Sequence, residues 1–202
     1  MRDTVYFLVF DGFADWQAAL ALCEVRRPGD WQVAAVGFTR APVVSMGGLA
    51  VQPQLSLAEL DFGRAALVIV PGGHLWQRGE GAAAVAAIRQ LHGAGTVVAG
   101  IDSGVLALAR AGLLEHCRHT GNWAGHIDGQ VPGYGGSAQY DASVLAVSDG
   151  GTITASHLGS VDFAREVIRT LELYGPTDRE HWYRLFKHAQ LPPWCVGEAA
   201  AA

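Results

Sequence analysis

The chain alternates short, continuous apolar runs with longer amphipathic segments, and this alternation constrains the fold more than any other feature. Three of the runs, at residues 4–10, 65–70 and 96–101, contain no charged side chain and are rich in β-forming residues. Such runs are typical of strands that are covered on both faces. Because helix-like segments separate them, we predict an α/β protein with a mainly parallel sheet and helices on both faces.

The remaining segments give a coarse map of the chain. We predict two short strands around Gly47 and Gly48, one helical turn at residues 56–60, and a hairpin that turns at residues 149–151. Asp15 is predicted to cap the first helix, and two amphipathic helices are expected near the C-terminus. Without an internal repeat, we expect one domain over residues 1–190, followed by a frayed tail over residues 191–202.

Composition excludes several classes of partner. Half of the 202 residues are hydrophobic and the net charge is −5, without a basic run, so we expect no nucleic acid partner. No apolar run approaches the roughly 18 residues of a membrane span, and we expect a cytoplasmic protein with no membrane partner. The three cysteines, Cys23, Cys117 and Cys195, are far apart and form no metal motif or disulfide framework. We therefore expect neither a metal nor a cofactor.

The segment "GIDSG" predicts a sharp turn from a buried strand into a helix, with Asp102 at the turn. Sites in such sheets lie beyond the carboxyl ends of the strands, and a turn of this kind often presents a nucleophile. Asp102 is therefore either a reactive carboxylate or only the N-cap of the following helix. Gln17, in the first turn of the first helix, is either a hydrogen-bond donor to Asp102 or a solvated side chain.

Other residues at the same sheet edge have two interpretations each. The backbone of Gly73, after the strand at residues 65–70, is either an oxyanion-hole donor or part of an ordinary turn. Trp76 and Trp123 either line a pocket or pack in the core. Several histidines lie in loops that can reach the site, and the candidate bases are His74, His119 and His126, with His116 and His157 weaker.

Five segments together resemble the ThiJ/PfpI superfamily of class I glutamine amidotransferase-like proteins. They are "VYFLVFDGFADWQ", "VIVPGGHLW", "AGIDSGVLALARAGLL", "RHTGNW" and "WYRLFK". The similarity runs from Thr4 to about Lys187 and is greatest to the bacterial amidase and intracellular protease branch. It implies a flavodoxin-like three-layer sandwich and a homodimer.

The resemblance also implies roles for single residues. The family carries a cysteine at the turn, where this chain has Asp102, and a glutamate where it has Gln17. Asn122 stands at a position that is histidine in some branches. The backbone N–H groups of Gly73 and Ser103 would form the oxyanion hole. These departures argue against cysteine-dependent amidase, protease or deglycase activity.

Three hypotheses for function follow. The first is a degenerate family member that binds an unknown small molecule or a partner at the former active site. The second is a hydrolase or hydratase in which Asp102 acts as nucleophile or base, and the third is a stress-related interaction protein. The candidate catalytic residues are Asp102, Gln17 and His119, and the candidate oxyanion-hole or ligand-binding residues are Gly73, Ser103, His74, Asn122 and Trp123.

Overall fold

A computed structural model describes residues 2–195, and it has the predicted α/β architecture. A seven-stranded sheet lies at its centre, beside a separate two-stranded ribbon. The strands are β1 (Thr4–Leu8), β2 (Gln32–Gly37), β3 (Val43–Val44), β4 (Ala50–Val51), β5 (Leu55–Ser56), β6 (Ala65–Val70), β7 (Val97–Ile101), β8 (Ala146–Asp149) and β9 (Thr152–Ala155).

The strand order in the main sheet is β5-β2-β1-β6-β7-β9-β8. All neighbouring pairs are parallel except β8 and β9, which form the predicted hairpin. The short strands β3 and β4 form the antiparallel ribbon, as expected from Gly47 and Gly48. The parallel register places the carboxyl ends of β1, β6, β7 and β9 side by side.

Helices cover both faces of the sheet. They are α1 (Asp15–Arg26), α2 (His74–Gln77), α3 (Ala82–Gly93), α4 (Gly104–Arg110), α5 (His126–Gln130), α6 (Ser160–Thr170) and α7 (Pro176–His188). Helices α1, α6 and α7 pack together on one face, and α2 to α5 lie on the other. The arrangement is the predicted flavodoxin-like three-layer sandwich. None of the helices in residues 2–195 is long and apolar enough to cross a membrane.

Close packing at Gly104 fixes where α4 begins. A Cβ atom on Gly104 would lie 2.2 Å from the backbone oxygen of Val70, so only glycine fits there. The start of α4 therefore lies directly against the end of β6. This contact brings Asp102, just before α4, beside Gly72 and Gly73, just after β6.

Three details differ from the sequence-based expectations or extend them. The prediction that Asp15 caps α1 is wrong, because α1 begins at Asp15, and the carboxylate instead accepts a hydrogen bond from Ser45 Oγ at 2.5 Å. The long glycine-rich connection contains α5 and a 3-10 turn at Ser137–Gln139. Of the predicted frayed tail, Pro193–Cys195 form another 3-10 turn, and residues 196–202 lie outside the described residues.

Candidate functional site

The candidate site lies where four adjacent parallel strands end. The loops after β1, β6, β7 and β9 meet at this edge, and backbone hydrogen bonds join them in pairs. The N–H of Asp102 donates to the oxygen of Ala155 at the end of β9, at 2.9 Å. The N–H of Ala14 donates to the oxygen of Gly72 after β6, also at 2.9 Å. These bonds hold the loop after β7 against the end of β9, and the loop after β1 against the loop after β6.

Asp102 has a left-handed backbone conformation, with φ of 57°. Few side chains other than Asp and Asn adopt this conformation without strain, and it often occurs at functional sites. The half-buried carboxylate accepts a hydrogen bond from Gln17 Nε2 at 2.8 Å and another from Asn122 Nδ2 at 2.6 Å. The interpretation of Asp102 as an N-cap only is wrong, because the cap residue of α4 is Ser103 and no side chain caps that helix.

Backbone donors fix the orientation of both amide side chains. The N–H of Gly72 donates to Gln17 Oε1 at 2.7 Å, and the N–H of His157 donates to Asn122 Oδ1 at 3.0 Å. Each amide oxygen is thus turned away from Asp102, so each NH2 group must face the carboxylate. His157 Nδ1 also lies 3.0 Å from Asn122 Oδ1, and because that oxygen is only an acceptor, Nδ1 carries a proton.

Gly72 provides the space in which this network forms. A Cβ atom at residue 72 would lie 2.3 Å from Asp102 Oδ2 and 2.8 Å from Gln17 Oε1. Any side chain there would displace the carboxylate or the amide. The glycine after β6 is therefore a requirement of the contact between Asp102 and Gln17.

The two predicted oxyanion-hole donors, the N–H groups of Gly73 and Ser103, differ in whether the protein itself already uses them. The N–H of Gly73 donates to Ser103 Oγ at 2.9 Å, and that hydroxyl donates to the oxygen of Gly73 at 3.1 Å. Both residues are buried, so this N–H is used within the protein. We find no acceptor for the N–H of Ser103 anywhere in residues 2–195. One of the two donors is thus occupied by the protein itself.

Two of the candidate histidines lie outside this hydrogen-bond network. His119 is fully buried, and its ring contacts the oxygen of Cys117 at 2.8 Å and the hydroxyl of Tyr134. Burial lowers the pKa of His119. His74 is exposed, and its Nδ1 pairs with Gln77 Oε1 at 2.9 Å. Neither ring hydrogen-bonds Asp102, whose side-chain partners are Gln17 and Asn122.

The charge of Asp102 acts on the ring of His126. Burial lowers the pKa of His126, while the charge of Asp102 raises it and His157 lowers it further. The ring stacks against Trp123 with centroids 4.2 Å apart and planes inclined by 33°. The Trp123 ring itself is exposed. An aromatic pair therefore lies within electrostatic reach of the carboxylate.

Sequence reasoning underrated His157. His157 lies two residues after β9, and this position indicates a site residue only once β9 is known to lie parallel to β7.

Trp76 is a core residue, because its buried Nε1–H donates to the oxygen of Pro71 at 2.9 Å. Within the described part of the chain, no three His, Cys, Asp or Glu side chains are grouped so that they could hold a metal ion.

Comparison with known proteins identifies the family. The model of the DJ-1/PfpI family matches residues 3–170. This chain belongs to the DJ-1/PfpI family. A curated relative, the uncharacterized protease YoaZ of Bacillus subtilis (strain 168), is 30% identical over 190 residues, which are 91% of this chain and 90% of that protein.

Solved structures of DJ-1/PfpI proteins share the fold over nearly the whole chain. The DJ-1 superfamily protein Atu0886 from Agrobacterium tumefaciens is 31% identical with a TM-score of 0.85, over 93% of this chain and 100% of that one. The ThiJ/PfpI family protein from Bacillus anthracis is 28% identical with a TM-score of 0.87, over 94% and 93% of the two chains. The family match over residues 3–170 includes every residue of the candidate site.

Proposed function

We propose that this DJ-1/PfpI protein binds a small molecule at the sheet edge around Asp102 and does not carry out cysteine-dependent turnover there. One observation carries the proposal: both oxygens of the Asp102 carboxylate are held by side-chain amides, from Gln17 and Asn122. A carboxylate fixed in this way suits a binding site better than a nucleophile, which must be free to approach an electrophilic atom.

The oxyanion hole and the cysteines support the same proposal. A tetrahedral intermediate needs donors directed at its oxygen, whereas the N–H of Gly73 already donates to Ser103 Oγ. Cys117 is buried, and burial raises the pKa of its thiol, which disfavours the reactive thiolate. Cys23 is exposed on α1 and has no hydrogen bond to the network around Asp102. In this proposal the protein is a pseudoenzyme of its family.

We further propose that the protein is a cytoplasmic homodimer. An exposed apolar surface supports the dimer, and it lies next to the site because Trp16 precedes Gln17 on α1. The surface, called the ribbon surface here, consists of Trp16, Val44, Met46 and Leu49. Exposed apolar groups grouped in this way are typical of protein interfaces.

A screen of binding and turnover tests the proposed function. Wild type and Asp102→Asn are compared against a small-molecule library and against amides, aldehydes, esters, isonitriles and peptides. Asparagine keeps the side-chain shape and tolerates the left-handed backbone, so the fold should survive. We expect ligands that shift the NMR signals of the Gln17 and Asn122 side-chain amides in wild type and bind Asp102→Asn more weakly.

The same comparison distinguishes binding from catalysis. We expect turnover of every substrate to be equal in the two proteins and at background level. Turnover by wild type that falls by several orders of magnitude in Asp102→Asn would show that Asp102 is a nucleophile or base and would overturn the proposal. A library without any ligand at these amides would overturn it as well.

A further inference from the structure

The polar groups around Asp102 leave acceptors, rather than donors, for a ligand. An ionised carboxylate can accept about four hydrogen bonds, and Gln17 and Asn122 fill two of those positions. The donors directed at the carboxylate are therefore used within the protein, and lone pairs remain on both oxygens. The half-buried side chain still has access to solvent.

His157 is joined to the carboxylate through Asn122. Its Nδ1 carries the proton that Asn122 Oδ1 accepts. We find no partner for Nε2 in residues 2–195. Asn122 thus holds Asp102 and His157 in one network. The N–H of Ser103 has no acceptor in residues 2–195 and could donate to a carbonyl or hydroxyl group of a ligand.

The charge of Asp102 has no cationic partner. Asp102 forms no ion pair with any of residues 2–195, although nine ion pairs are present there. Half-buried Asp162, by comparison, pairs with Lys187 at 2.6 Å. Burial lowers the pKa of His126, a ring on which the charge of Asp102 acts, so that ring supplies little positive charge at neutral pH. A negative group in this setting favours a ligand that brings the opposite charge.

An exposed aromatic ring completes the set of groups. Trp123 follows Asn122 in the chain and stacks on His126, with its ring exposed to solvent. The face of an indole ring attracts cations, and an aromatic ring beside a carboxylate is a suitable arrangement for ammonium-type groups. The same ring gives apolar contact to the rest of a small organic ligand.

We propose that the ligand of this site is a small organic cation, with an ammonium, amidinium or guanidinium group that donates to Asp102. This inference rests on the proposed function, because it names the class of ligand for the same site. The N–H groups of the cation fill the free lone pairs of the carboxylate, and its organic part lies along Trp123.

A series of probes with the same shape and different charge tests this proposal. Benzamidinium, benzamide and benzoate differ in charge at one substituent, and butylammonium adds an aliphatic cation. Binding to wild type is measured by NMR titration of the Gln17 and Asn122 side-chain amides at low salt. We expect at least one cation to bind about 10-fold or more tightly than benzamide, and benzoate to bind most weakly. Added salt should weaken binding of the cation.

Two variants distinguish the effect of the negative charge at residue 102 from the effect of the net charge of the protein. Asp102→Asn should reduce the affinity for the cation to about that for benzamide. Asp30→Asn removes the same charge from an exposed turn and should leave the affinity unchanged. Trp123→Ala should weaken binding of the cation several-fold without changing the preference of the site for positive charge.

The outcomes distinguish this inference from the proposed function. If benzamide binds as tightly as both cations, or if Asp102→Asn leaves cation binding unchanged, the site is not selective for cations and this inference is wrong, whereas the proposed function stands. The same conclusion follows if neither cation binds while other library compounds do. If no compound binds, the proposed function fails first.

Discussion

At the scale of the residue, Asp102 combines an unfavourable backbone conformation with a fully organised side chain. Its φ of 57° places it among the few non-glycine residues with positive φ in the described chain. The hydrogen bonds from Gln17 and Asn122, together with the backbone bond to Ala155, hold the residue in this conformation. The strain is thus compensated by contacts from three other segments of the chain.

Gly72→Ala tests how closely this contact is packed. The added methyl group would overlap Asp102 Oδ2 and Gln17 Oε1, so we expect a loss of about 1–3 kcal/mol in the free energy of unfolding. Urea denaturation measures the loss, and the Gln17 side-chain amide signal should move. Gly93→Ala is the matched control, because no heavy atom lies within 4 Å of its Cβ position. Equal stability of the two variants would contradict the packing argument.

At the scale of the element, the β3–β4 ribbon and the start of α1 act as one unit. The N–H of Met46 donates to the oxygen of Phe13 at 2.8 Å, and Ser45 Oγ donates to Asp15. These bonds place the exposed ribbon surface on the loop that also positions Gln17. Association through the ribbon surface would therefore cover residues next to the site.

Leu49→Glu tests whether this surface forms the homodimer. A charged side chain there would have to be buried in the interface, so we expect a monomer whose stability as a folded chain is otherwise close to that of wild type. Analytical ultracentrifugation measures the mass in solution. Leu191→Glu is the control, because Leu191 is 61% exposed, like Leu49 at 60%, but lies outside the ribbon surface. A monomeric wild type, or a dimeric Leu49→Glu, would refute the proposed interface.

The sequence predicts elements better than it predicts contacts between them. Continuous apolar runs and glycine punctuation locate β1, β6, β7 and the β8–β9 hairpin, because these signals are local. The neighbour of β7 depends on long-range pairing, so the sequence indicated His157, after β9, only as a weaker candidate. Gln17 could be predicted as a site residue because it lies in the first turn of α1, and the strand before α1 was already expected to end at the site.

The contacts of two candidate residues, His119 and Gly73, were harder to predict from the sequence. His119 has the sequence context of a loop base, yet the isolated bridge between His119 and Tyr140 carries the loop into the interior. The glycine-rich connection has no periodic pattern of apolar residues from which this inward path of the loop could be predicted. The hydrogen bond of Gly73 to Ser103 Oγ was equally invisible, because it depends on the rotamer of one side chain.

At the scale of the whole molecule, buried histidines couple stability to pH. Burial lowers the pKa of both His119 and His126, so in acid the unfolded chain binds more protons on these rings than the folded chain does. The free energy of unfolding should therefore fall as the pH decreases below about 6.5, the ordinary pKa of histidine. Glu59 and Asp141, whose pKa values are lowered to about 2 by hydrogen bonds, add their losses only at lower pH.

Urea denaturation at about pH 7.5 and about pH 5.5 measures this dependence. We expect wild type to be less stable at the lower pH, and His119→Gln to show a smaller difference between the two values. His74→Gln, which changes an exposed ring, should keep the wild-type difference. If all three proteins lose the same free energy, or wild type loses none, the buried rings do not control stability in this range.

The two edge strands of the main sheet affect how readily the protein aggregates at high concentration. One edge is β5, with only Leu55 and Ser56, and the other is β8, with four residues that end in Asp149. An exposed edge strand is a template on which further chains can add, and long apolar edges initiate fibrils. Edges this short offer few free hydrogen-bonding groups, so the apolar strands at the centre of the sheet are protected from amyloid growth while the fold is intact.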